Sequence, residues 1–136
     1  MIRSLILFFY YYVPVILYLL LIYTFSSLSI EIGTIPLLNH DKILHILEYA
    51  VLGFLFMRAY LNSVGSSFKI RGVLTSAFFS FLFGCSDEYH QLYVPNRIVS
   101  IGDILADTIG GFIGSIFYIV VLYVISWKEK KYGKAD

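Results

Sequence analysis

The sequence predicts an all-α fold, an integral membrane four-helix bundle with N- and C-termini cytoplasmic, and three observations carry that expectation. Of 136 residues, 59% are hydrophobic and 14% charged, where a soluble domain carries about 25% charged residues. Apolar runs at about residues 5–25, 42–61, 72–91 and 103–127 match the roughly 20 residues that a bilayer core requires. Four crossings put both termini and the middle connection on one side. Arg3, Arg58, Lys69, Arg71, Lys128, Lys130, Lys131 and Lys134 fall there, leaving only Lys42 and Arg97 of the ten Lys and Arg opposite. Excess Lys and Arg marks the cytoplasmic side. The whole chain, 1–136, is expected to form one domain.

Arg3 followed by an apolar run resembles a signal-peptide start. The run is too long for that, and no Ala-x-Ala site follows, so a retained first span is expected. Pro14 lies near its middle and predicts a kink there. Gly33 and Pro36 break the first connection, whose charged candidates are Glu31, His40 and Asp41. In the second span Asp41, His45, Glu48, Tyr49 and Leu52 follow at helical spacing, so one face carries the polar groups. Asn62 to Arg71, with its serines, Gly65, Lys69 and Arg71, reads as a polar connection.

The third span ends in Cys85-Ser-Asp87-Glu88-Tyr-His90-Gln91. Asp87, His90 and Gln91 share one face, and Glu88 lies 100° around the helix from Asp87. Pro95-Asn96 fits the second and third positions of a turn. Ser100-Ile-Gly-Asp103 resembles a capping box that opens the fourth span. Asp103, Asp107, Gly110 and Gly114 follow at helical spacing, and Gly110-x-x-x-Gly114 offers a smooth strip for another helix, including one from a second copy. Cys85 reads as a packing residue, and Tyr10, Tyr11, Tyr12 and Tyr23 as packing or interface residues.

Ionisable residues inside a membrane are expensive and usually mark a site. Here they come from three spans and fall at the same end. Lys42 and Arg97, with His45 and His90 if protonated, oppose Asp41, Glu48, Asp87, Glu88, Asp103 and Asp107. Such carboxylates cannot all stay ionised without protons, paired cations or a metal. Four readings follow. A divalent metal, which the sequence does not require, would draw on His45, Glu48, Glu88 and His90. Acid–base or electrostatic chemistry on a lipid-linked or wall-linked substrate would use His90, Asp87, Glu88 and His45 as catalytic candidates. Lys42, Glu48, Tyr49, Gln91, Arg97, Asp103 and Asp107 would bind it, with Arg97 holding an anionic group. A non-enzymatic scaffold or binder would use the same groups as a hydrogen-bond network in which Asp87, His90 and Asp107 satisfy one another. A proton- or cation-coupled transporter would need a path through the other half of the bundle, where ionisable residues are missing. No basic stripe suggests nucleic acid.

Asp41-Lys42, His45, Glu48-Tyr49 and Leu52-Gly53 resemble the second-span signature of the VanZ-like family. Asp87-Glu88-Tyr-His90-Gln91, Val94-Pro95-Asn-Arg97 and Asp103-x-x-x-Asp107-x-x-Gly110 resemble its central motif. Pro14 and Phe25-Ser26-Ser27 also fit, so the resemblance runs from about Val13 to Tyr118. Two positions depart from the family pattern: Asn96 stands where glycine is usual, and Asp107 where asparagine is usual. The resemblance implies a multi-pass protein of the bacterial cytoplasmic (plasma) membrane. It also implies a link to lowered susceptibility to the glycopeptide teicoplanin, and partners among lipid-linked envelope precursors or the glycopeptide itself.

Overall fold

The computed structural model describes residues 2–28 and 38–133, with the side chains of the third helix from Lys42 onward. The expectations for Glu31, Gly33, Pro36 and Lys134, and for the side chains of His40 and Asp41, lie outside the described residues. The described chain is helical: α1 (Ile2–Tyr11), α2 (Val13–Ser26), α3 (Leu38–Val64), a 3-10 turn (Ser66–Phe68), α4 (Lys69–Gln91) and α5 (Ile101–Tyr132). Four stretches are long and apolar enough to cross a membrane: Ile2–Ser26, Lys42–Val64, Ser66–Gln91 and Ile101–Tyr132. Helix length and composition therefore define a multi-pass membrane protein embedded in a lipid bilayer.

The burial pattern fits that medium. Ile70, Leu74 and Phe78 on α4 expose 79%, 62% and 61% of their surface, while Ser76 and Ser80 on the same helix expose none. Lipid tails are as apolar as leucine, so helices associate through small residues that let backbones approach. On α4 these recur at strict intervals of four, as Gly72, Ser76, Ser80 and Gly84, all buried, and the buried Glu88 continues the row. Ser76 Oγ donates toward Gly53 O at 3.4 Å and Gly111 O at 3.3 Å, joining α4 to both its neighbours.

Helices α3 and α5 make the closest contact. A β-carbon at Gly53 would collide with the Gly111 backbone, and one at Gly114 with the Ala50 carbonyl. One at Gly110 would stand 2.5 Å from Ile46 O. The Gly110/Gly114 strip is thus covered by α3 of the same chain. This corrects the expectation that it could serve a second copy, because the close approach that the glycines permit is already used.

The proline effect lies at the junction of α1 and α2. Pro14, in the first turn of α2, has no N–H for the Tyr10 carbonyl, and the helix is interrupted at Tyr12. Arg58 Nη1 donates to that carbonyl at 3.1 Å, and its guanidinium sits 4.0 Å from the Tyr10 ring centre and 4.9 Å from that of Tyr11. A neighbouring helix thereby supplies the donor that proline removed.

The polar connection expected at Asn62 to Arg71 is short and largely helical. α3 runs to Val64, Gly65 alone turns the chain with φ of 89°, and the 3-10 turn leads directly into α4. Only glycine readily adopts that φ. Ser63 Oγ donates to Ala59 O at 3.0 Å, so this hydroxyl is satisfied within the helix that its polarity seemed to end.

Candidate functional site

The end of α2, the start of α3, the end of α4 and the start of α5 meet at one end of the bundle, and the polar residues meet there with them. Two pairs join α3 to α5. Lys42 Nζ donates to Asp103 Oδ1 at 2.7 Å, and His45 Nδ1 lies 2.9 Å from Asp107 Oδ1. Asp107 is fully buried, and Asp103 and the His45 side chain expose 3% and 11%. Glycines make the room. A β-carbon at Gly84 would stand 2.6 Å from Asp107 Oδ2, and one at Gly102 would stand 2.5 Å from Lys42 Nζ.

The start of α5 is capped in an unexpected way. Ser100 Oγ accepts from Gly102 N at 3.1 Å, as an N-cap should. In a capping box the third residue reaches back to the cap's own N–H. Asp103 is instead turned to Lys42, and Glu88 Oε2 from α4 accepts from Ser100 N at 2.8 Å. The turn before it matches expectation: Arg97 N donates to Val94 O at 3.3 Å, and Asn96 has φ of 64°, as the third position of a type II turn requires. Asparagine tolerates this region.

On the other side of α4, Gln91 Nε2 donates to Asp87 Oδ2 and to Ser26 Oγ, both at 3.0 Å. Arg97 Nη2 donates to Phe25 O at 3.3 Å, placing a cation at the C-terminal end of α2. Tyr18 of α2 donates to Glu48 O at 3.1 Å. Between α2, α3 and α4 these residues line a half-open cavity of about 560 Å³. Leu21, Ile22, Phe25, Leu44 and Leu47 form its apolar wall, and His45, Glu48, Asp87, Gln91 and Arg97 its polar end.

His90 does not join this set. Its ring packs against Tyr23 at 4.4 Å between centres, with Nε2 2.9 Å from Ser27 Oγ and Nδ1 3.4 Å from Tyr23 Oη. The expected mutual pairing of Asp87, His90 and Asp107 is therefore not what the structure shows: Asp87 pairs with Gln91, Asp107 with His45, and His90 with α2. The three donors that come together from separate helices are His45, Glu88 and Asp103, whose ligand atoms lie within 4.8 Å of one another. Among the metal candidates Glu48 and His90 stand outside that group, and Asp103 enters it. Tyr49 is fully buried beside Phe83, 6.3 Å between ring centres, and its hydroxyl has no partner among the described residues.

The reading of the residues missed Ser26, Ser27, Tyr18 and Gly84. Gly84 had a visible signal, since it precedes Asp87 and Glu88 by three and four residues on the face where small residues recur. Tyr18 belongs to an apolar span without polar periodicity, and Ser26 and Ser27 entered only through the family resemblance at the exit of that span, with no site role attached.

Among the described residues the charges do not balance. Glu48, Asp87, Glu88, Asp103 and Asp107 face Lys42, Arg97 and at most one charge on His45. Buried Glu88 Oε1, Asp87 Oδ1 and Asp107 Oδ2 have no hydrogen-bond partner among the described residues. Uncompensated buried charge costs several kcal/mol, on the order of 3–5. Protons, a cation or groups outside the described residues must therefore neutralise part of the set.

Fold and site together define a multi-pass membrane protein with a buried cluster of His, Glu and Asp at one end of its helices. The VanZ/LLP1 family matches residues 33–123, and the chain belongs to that family. The match takes in α3, α4 and most of α5. It begins after the first span, so Pro14 and Phe25-Ser26-Ser27, which had been part of the resemblance, lie outside it. Comparison with curated proteins and with solved structures gave no match.

Proposed function

We propose that the chain is a single membrane domain that binds an amphiphilic component of the bacterial cell envelope at the outer face of the plasma membrane, with both termini cytoplasmic. The cavity between α2, α3 and α4 is the observation that carries this reading, since it joins an apolar wall to a polar end. Ligand sites are commonly concave, mostly apolar and fixed by a few polar groups. Arg97 suits a phosphate or carboxylate. Asp87, Glu48 and Gln91 suit hydroxyl, amide or amine donors. A headgroup carrying both kinds of group on a lipid tail fits, as lipid-linked wall precursors and aminophospholipids do. Sequestering or altering such a component would reduce the action of glycopeptides that target the wall, teicoplanin among them.

Protein purified in detergent should retain a lipid-linked wall precursor or an aminophospholipid in native mass spectrometry. Arg97→Ala and Asp87→Asn should each weaken retention at least about tenfold, equivalent to about 1.4 kcal/mol. Retention of the same lipids by both variants at wild-type levels would refute the reading. A mass change in the retained lipid would make the protein an enzyme, and retention without change a binder.

A second reading, a purely structural network, is favoured by the Lys42–Asp103 and His45–Asp107 pairs, each of which ties α3 to α5. On that reading the same substitutions would lower thermal stability and leave lipid retention in proportion to folded protein.

A further inference from the structure

We propose that His45, Glu88 and Asp103 form a binding site for one divalent transition cation, of the zinc or manganese class, at the junction of α3, α4 and α5. The proposal goes beyond the lipid cavity and stands whether or not that cavity holds a lipid.

Three features support it. The donor atoms already lie within 4.8 Å of one another, each from a different helix, so the fold gathers them without help from local sequence. One imidazole and two carboxylates suit zinc, manganese or ferrous iron. Glu88 is 2% exposed, and its Oε1 has no hydrogen-bond partner among the described residues, while Oε2 is committed to Ser100 N. A buried carboxylate oxygen in that state is stabilised by a cation.

The surroundings fit as well. Asp107 Oδ1 lies 2.9 Å from His45 Nδ1, which fixes the ring as a carboxylate beside a metal-binding histidine does. Metal–ligand bonds of about 2.0–2.2 Å place tetrahedral ligands roughly 3–3.5 Å apart, so the widest pair closes by at most about 1.8 Å on binding. Lys42 Nζ stands 2.7 Å from Asp103 Oδ1, where its ammonium supplies positive charge to the same carboxylate. Its side chain is 43% exposed. Lys42 and the metal therefore compete for Asp103.

That competition gives the proposal a test that loss of structure cannot imitate. Full-length protein carrying a non-histidine tag is stripped with chelator in detergent and titrated with Zn²⁺ and Mn²⁺ by calorimetry. The expected result is one ion per chain, affinity at least about tenfold weaker in Glu88→Gln, and affinity several-fold tighter in Lys42→Met. If Glu88→Gln does not fold, Lys42→Met decides alone. Absence of saturable one-to-one binding of both ions by wild-type protein would overturn the proposal. So would unchanged or weaker affinity in Lys42→Met. Because no lipid enters this titration, its failure leaves the lipid-binding reading untouched, and the reverse holds too.

Discussion

Asp107 depends on a residue that has no side chain. Its Oδ2 lies 2.6 Å from where a β-carbon of Gly84 would be, so the carboxyl occupies the space that glycine leaves open. Overpacking of this kind costs about 1–3 kcal/mol. Gly84→Ala should lower stability by that amount in reversible unfolding from mixed micelles. Most of the loss should vanish in an Asp107→Ala background, because the two sites share one volume. An equal cost in both backgrounds would show that Gly84 serves the helix contact and not the acid. The same paired logic explains why individual residues were only partly legible. His45, Glu48, Asp87 and Arg97 announced themselves as charges in an apolar setting, and they do meet around one cavity. His90 announced itself equally and turned elsewhere, because helical spacing fixes a face while the neighbouring helix decides which partner that face meets. Tyr23 of α2 and Ser27 just after it were the deciding partners, and no periodicity in the apolar first span distinguishes them.

At the scale of elements, hydropathy located the four spans, but their ends depended on chemistry that hydropathy does not report. Serines between residues 62 and 71 lowered the apolar average, yet Ser63 is satisfied by its own helix and Gly65 turns the chain alone. The strict four-residue recurrence of Gly72, Ser76, Ser80, Gly84 and Glu88 was legible and is the better guide to how α4 packs. The first span is held differently, with Arg58 serving the carbonyl freed by Pro14 and two tyrosine rings. A hydrogen bond from a charged group contributes about 1.5–3 kcal/mol. Arg58→Met should therefore speed amide exchange across residues 2–11 by about tenfold or more, with exchange in α5 unchanged. Protection of residues 2–11 that survives the substitution would mean that α1 is held by other contacts.

For the whole molecule, orientation is the property on which the cellular reading turns. Basic residues gather at the termini and the α3–α4 connection, while the carboxyl cluster occupies the opposite end of the helices. In a Cys85→Ser background, Ile98→Cys should react with a membrane-impermeant maleimide on intact cells, since Ile98 is 87% exposed in the connection before α5. Lys128→Cys, near the end of α5, should react only after permeabilisation. The reverse pattern would place the cavity and its polar cluster on the cytoplasmic side and remove envelope precursors of the outer leaflet as ligands.

The Glu88 to Ser100 bond also bears on the junction of α4 and α5. Ser100 caps α5 with its own hydroxyl, but its backbone N–H is served by a carboxylate on the preceding helix. The start of α5 is therefore tied to the end of α4 by the backbone N–H of its own cap residue. Loss of that carboxylate would loosen the junction between the two helices as well as the polar cluster, so a Glu88 variant reports on both at once.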